Sequence, residues 1–163
     1  MRYHNITKDD MLNGEGLRTV LWVAGCSHHC PQCHNPVTWD INGGLVFDEQ
    51  EKEELFEELK KDYVSGVTFS GGDPFHLENR EEIGALAKEI REKFPDKTIW
   101  LYTGYEWEEI CHLSFLSNID VIVDGKFKIE EKDNNLHWKG SANQRVIDVK
   151  ASLRAGEVRL YQE

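Results

Sequence analysis

Apolar residues along this chain form two kinds of pattern, short continuous runs and longer stretches with helical spacing. The short runs favour buried strands, because a strand covered on both faces is apolar at nearly every position. They predict strands over 17–24, 66–69, 98–102 and 119–123. Between them, apolar residues three and four positions apart predict helices over about 48–62, 80–93 and 106–116.

Strands that alternate with helices predict βαβ units, and therefore an α/β fold built on a parallel sheet. The length of 163 residues is that of one ordinary domain, so we expect a single domain over 1–163. Residues 1–16 are polar and end in a turn at 13–16, and no repeat or linker divides the chain. A short apolar run at Val146 and Ile147 precedes a charged tail.

Composition narrows the class of protein. The net charge of −11 argues against a nucleic-acid partner, which usually meets a basic patch. No apolar run approaches the roughly 20 residues that span a bilayer, and the first residues lack the apolar region of a signal peptide. We therefore expect a cytoplasmic protein, in which clustered cysteines are metal ligands or redox groups rather than disulfides.

Four loops follow the predicted strands directly. They are the cysteine loop at 25–35, Ser70 to Pro74, Thr103-Gly104 and Asp124 to Lys126. Parallel strands end at the same edge of a sheet, and α/β folds bind their ligands there. These loops are therefore predicted to line one pocket.

The cysteine loop carries Cys26, Cys30 and Cys33 at C-x3-C-x2-C spacing. Three thiolates on one short loop can converge on one metal centre and leave its fourth ligand position open. Two interpretations stay open on spacing alone: zinc with His28, His29 or His34 as fourth ligand, or a [4Fe–4S] cluster with one free iron. Cys111 stands apart and is predicted to be a buried small apolar residue on a helix.

The loop Ser70 to Pro74 is the second candidate. Gly71 and Gly72 would let the backbone approach a ligand closely, and Asp73 could accept a hydrogen bond from a ligand ammonium or hydroxyl group. The alternative is an ordinary tight turn.

The three cysteines, preceded by Gly25 and followed by His34-Asn35, resemble the radical S-adenosylmethionine enzymes. Further segments narrow the similarity to activases of glycyl-radical enzymes, of the kind that serve the anaerobic ribonucleoside-triphosphate reductase. Those segments are 13–18, 70–74, 100–105, 123–127 and 138–145.

This resemblance implies a partial, open βα barrel with one [4Fe–4S] cluster on Cys26, Cys30 and Cys33. It implies S-adenosylmethionine as second cofactor, placed by Gln32, Cys33, His34 and by Gly71, Gly72 and Asp73. The activity would be that of an oxidoreductase: reductive cleavage of the cofactor to a 5′-deoxyadenosyl radical, which takes a hydrogen atom from a glycine of the reductase. No side chain would act as a catalytic acid or base, and the electron would come from a low-potential donor such as flavodoxin.

Two features depart from the family pattern. The first turn reads Asn13-Gly14-Glu15-Gly16, where Asp-Gly-Pro-Gly is usual. His34 takes the place of a frequent tyrosine and, with Thr38-Trp39-Asp40, is more similar to activases of pyruvate formate-lyase. A related small radical enzyme acting on a small molecule, and a zinc-binding interaction domain from a different class, are the remaining alternatives.

Overall fold

The computed structural model describes residues 1–30, 33 and 36–162. The strands are β1 Arg2–Asp10, β2 Arg18–Val23, β3 Leu45–Val46, β4 Gly66–Gly71, β5 Thr98–Tyr102, β6 Val121–Asp124 and β7 Arg145–Asp148. The α-helices are α1 Glu49–Leu59, α2 Arg80–Lys93, α3 Trp107–Ile110 and α4 Val149–Ala155. Short 3-10 helices cover Pro36–Thr38, Ser114–Asn118 and Ile129–Glu131.

Within these residues the strands form one mixed sheet in the order β3-β1-β2-β4-β5-β6-β7. The four strands predicted from apolar runs, β2, β4, β5 and β6, pair in parallel, as expected. The outer strands β1, β3 and β7 are antiparallel to their neighbours, so the sheet is mixed rather than wholly parallel. No barrel is seen in this part of the chain, and the partial barrel stays a prediction.

The helices α1 and α2 cover one face of the sheet. Asp48 caps α1 by accepting from the backbone N–H groups of Gln50 and Glu51, which satisfies two donors that the first turn leaves free. The apolar stripe of α2 packs with that of α1 against alternate residues of the strands, including Leu21, Phe69 and Leu101. This face forms the main core.

The opposite face of the sheet carries a smaller cluster of apolar side chains. Trp100 packs here with Val121 and Val123, beside Trp138 and Tyr161. The tail follows the sheet edge: Leu160 pairs with Ile147, and the Tyr161 ring lies 5.2 Å from that of Trp100.

Several expectations fail. The strands β1 and β3 and the helix α4 have no counterpart among the predicted elements. The third predicted helix, 106–116, is α-helical only to Ile110 and continues as a 3-10 helix from Ser114. Cys111 is exposed at the C-terminal cap of α3, so its prediction as a buried residue is wrong. None of the helices in the described part of the chain has the length and apolar content needed to cross a membrane.

Candidate functional site

A cavity of about 520 Å³ opens where β2, β4, β5 and β6 end. Its walls come from all four loops that the strand order predicts to meet. The lining includes Cys26, Cys30, Cys33, Gly71, Gly72, Thr103, Gly104 and Gly125. The prediction that cysteines and loop glycines share one pocket is therefore confirmed for these residues.

The cysteine loop is tied to the sheet by backbone hydrogen bonds. Gly25 N–H donates to Thr38 O at 2.6 Å, and Cys26 N–H donates to Trp39 O at 3.0 Å. Asp73 N–H donates to Gly25 O at 2.7 Å and joins this loop to the end of β4. A Cβ on Gly72 would lie 2.5 Å from Gly25 O, so only glycine permits this approach.

Asp73 lies behind the cavity and joins three loops. Its carboxylate is 1% exposed and accepts from Phe75 N–H at 2.9 Å, Thr103 Oγ1 at 2.8 Å and Gly104 N–H at 2.9 Å. The His28 ring nitrogen Nε2 lies 2.7 Å from the same carboxylate. A ligand contact of Asp73 stays a prediction, and in this structure its oxygens serve protein donors.

Burial controls the chemistry of two cysteines. It raises the pKa of the Cys26 thiol to about 11, although N–H groups of His28 and His29 favour the thiolate. It also raises the pKa of Cys30, against the Phe127 N–H and the Lys126 charge. A metal centre would displace these protons, since thiolates are the ligands.

Three thiols on one cavity wall can supply three ligands to an iron–sulfur cluster or to zinc. Among the side chains described, no three of His, Cys, Asp and Glu lie close enough together to hold a single ion. In donor chemistry and in sharing one cavity, the three cysteines fit a cluster, whose thiolates bind different irons and need not meet at one ion.

The histidines of the zinc interpretation have other contacts. His28 pairs with Asp73 and packs edge-on to Tyr105 at 4.7 Å between ring centres. His29 stacks on Trp39 at 4.4 Å. His34 and the predicted cofactor contact Gln32 lie outside the described residues, and their roles stay predictions.

The cavity also has an aromatic wall that the strand patterns did not single out. Trp22, Tyr102 and Trp138 line it. Trp22 pairs with Ser70 between β2 and β4, and Tyr102 pairs with Val123 between β5 and β6. Trp22 and Tyr102 lie on the same face of the sheet as Trp100, near the ends of strands that precede the cavity loops. This position in the strands is the signal that could have identified them.

Comparison with known proteins defines the class. The family model described as "4Fe-4S single cluster domain" matches residues 12–147, most of the chain. This match includes the cysteines and all four loops of the cavity. It supports an iron–sulfur centre rather than zinc.

Close relatives narrow the class further. The chain is 44% identical to the anaerobic ribonucleoside-triphosphate reductase-activating protein of Enterobacteria phage T4, over 90% of this chain and 93% of that protein. It is 40% identical to the protein of the same name from Salmonella typhimurium and 39% identical to that of Escherichia coli K12, each over 90% of this chain and 97% of the relative. The chain belongs to the family of these activating proteins.

Proposed function

We propose that this protein activates an anaerobic ribonucleoside-triphosphate reductase by radical chemistry at a [4Fe–4S] cluster held by Cys26, Cys30 and Cys33. The convergence of the three cysteines with Gly71 and Gly72 on one cavity carries the proposal. The names and close similarity of the relatives support the choice of partner.

Three protein ligands leave one iron of the cluster free for a second cofactor, S-adenosylmethionine. With both groups bound, the chemistry that they would supply is a one-electron reductive cleavage of the sulfonium–C5′ bond, which would release methionine and end in removal of one hydrogen atom from the Cα of a reductase glycine. A low-potential donor of the flavodoxin type would return the electron.

The protein's own groups hold and shield the reactants. The thiolates of Cys26, Cys30 and Cys33 bind iron. Gly71 and Gly72 line the cavity on the side that we assign to the methionine part of the cofactor, and the Gly72 N–H donates to Val23 O at 2.9 Å, which holds this turn against β2. Asp73, with Thr103 and Gly104, keeps these loops at a fixed separation.

The aromatic wall supplies the second requirement, which is exclusion of water from a reactive radical. Trp22, Tyr102 and Trp138 present large apolar surfaces to the cavity. None of these steps needs a side chain to gain or lose a proton, and the acidic and basic residues of the site act by holding loops in place.

The test is electron paramagnetic resonance on protein reconstituted with iron and sulfide without oxygen. We expect a reduced [4Fe–4S] signal that changes when S-adenosylmethionine is added, and a glycyl radical when a purified anaerobic ribonucleoside-triphosphate reductase is added. A protein that takes up zinc but no iron would contradict the proposal. A changed cluster signal with no radical on the reductase would keep the chemistry and reject the partner.

A further inference from the structure

The loop Gly125 to Phe127 reaches across the cavity to one of the cysteines. It follows β6, and Gly125 and Phe127 line the cavity beside Cys30. The backbone N–H of Phe127 and the charge of Lys126 both favour the thiolate form of Cys30, which places this loop beside that sulfur. This sulfur therefore has a neighbouring donor from a distant part of the chain.

Two amide side chains hold that loop in place. Asn143 Nδ2–H donates to Lys126 O at 2.8 Å, and Gln144 Nε2–H donates to Gly125 O at 2.9 Å. We call Asn143 and Gln144 the amide clamp. Gln144 is itself fixed, because its Oε1 accepts from Gly140 N–H at 2.9 Å and Ser141 N–H at 3.2 Å.

Steric contacts complete the arrangement. Gly125 has a φ of +93°, a conformation that L side chains rarely adopt, although a Cβ there would meet nothing closer than 3.6 Å. A Cβ on Gly140 would lie 3.3 Å from the Phe127 ring, so this ring packs directly on the backbone at Gly140, whose N–H donates to Gln144. Conformation and packing thus specify one position for the Phe127 N–H.

We propose that the amide clamp is a positioning device that raises the reduction potential of the cluster, by holding the Phe127 N–H against the Cys30 sulfur. Hydrogen bonds to cluster sulfurs and the surrounding charge are among the factors that set such potentials. An N–H donor stabilises the more negative, reduced state most, so its loss makes reduction harder. The inference rests on the proposed function only for the presence of the cluster.

Gln144→Met tests this most directly, because it keeps the length of the side chain and removes both its donor and its acceptor. Asn143→Ala removes the second link. Gln50→Met is the matched control: the same exchange at an exposed position on α1. Two measurements are needed, hydrogen exchange of the Phe127 amide in the cluster-free protein and a redox titration of the reconstituted protein followed by electron paramagnetic resonance.

In Gln144→Met we expect faster exchange at Phe127 and a reduction equilibrium about tenfold less favourable, which is about 59 mV for one electron. Asn143→Ala should give a smaller change in the same direction, and Gln50→Met none. Lys126→Met should lower the potential less than Gln144→Met, since the ammonium is exposed and screened.

The outcomes separate the inference from the proposed function. Faster exchange with an unchanged potential would overturn the inference while the cluster stands. Unchanged exchange in Gln144→Met would also overturn it, because the clamp would then not hold the loop. If no variant or parent binds a [4Fe–4S] cluster, the proposed function fails and this inference falls with it, whatever the exchange data show.

Discussion

The two edges of the parallel block of strands differ in what their cavities contain. The edge where strands end has the smaller cavity, about 520 Å³, lined by three cysteines and several loop glycines. The edge where they begin has a cavity of about 1160 Å³, lined mainly by charged side chains that include Lys60, Asp120 and Lys150. The volume of a cavity therefore does not identify the candidate site. The thiols in its lining, and the glycines that let the loops approach each other closely, do.

Arg18 lies at the second edge, where the parallel strands begin, and its contacts indicate a structural role for that edge. Its buried guanidinium donates to Thr68 Oγ1, Val67 O and Thr98 O at 2.8–2.9 Å, and to Glu15 O and Thr98 Oγ1. These acceptors are all neutral. Burial lowers the pKa of Arg18 to about 10, so it stays charged near neutral pH. The group holds the turn at 13–16 against the sheet, which is a structural role.

Cys26→Ala at the first edge should have the largest effect on iron binding. We expect iron content after reconstitution to fall to background, because two thiolates hold a cluster poorly, with little change in the stability of the cluster-free protein. Cys111→Ala is the control, since that thiol is exposed on α3. Iron and sulfide analysis checks both, and full iron content in Cys26→Ala would remove Cys26 from the ligand set.

Arg18→Met at the second edge should have the largest effect on stability. It strands several buried acceptors, and we expect the free energy of unfolding to fall by about 2–4 kcal/mol. Denaturant unfolding of the cluster-free protein measures this, with the exposed Arg154→Met as control. A lower reduction potential with unchanged stability would contradict the division between the two edges.

Gly72→Ala should affect both the stability of the protein and its uptake of iron. The new methyl would lie 2.5 Å from Gly25 O and 2.7 Å from Thr38 O, and such overpacking costs about 1–3 kcal/mol. Since it pushes on the cysteine loop, iron uptake should slow as well. Gly156→Ala has a positive φ but no neighbour within 4 Å, so it should cost stability and leave iron uptake unchanged.

Glu108→Gln should have the smallest effect on the free energy of unfolding, below about 1 kcal/mol, because the ion pair that it breaks, between Glu108 and Arg145, is exposed. Hydrogen bonds from Arg145 lower the pKa of Glu108 in the folded state. A lowered folded pKa gives stability that is present above the unfolded pKa, about 4.3, and is lost as pH falls through the folded value. The difference between parent and variant in unfolding free energy should therefore disappear in acid; a difference that persists there would contradict this origin.

The sequence pattern was sufficient where one physical signal dominated. Helix α2 has apolar residues at strict helical spacing, and its predicted bounds match the structure. Strand β1 was missed because only Tyr3 among its nine residues is buried and its pairing with β2 is irregular, so no alternation is visible.

The residues of the candidate site likewise divide into those that a local sequence pattern predicts and those that it does not. Spacing on one loop identified Cys26, Cys30 and Cys33, because their neighbours in sequence are their neighbours in space. The pairing of Asp73 with His28 and Thr103 links residues 30 or more positions apart, and no local pattern encodes it. Gln144 of the amide clamp lies in the segment 138–145, which the sequence analysis singled out only because it resembles a known family.

The segment between Cys26 and Trp39 begins and ends at backbone hydrogen bonds, from Gly25 to Thr38 and from Cys26 to Trp39. Because these bonds hold the two ends of the segment together at the edge of the sheet, the protein can bind or lose iron while the strands stay paired. Repair of an oxidised centre would be a local exchange, and the same sheet could accept a transplanted loop with different ligands.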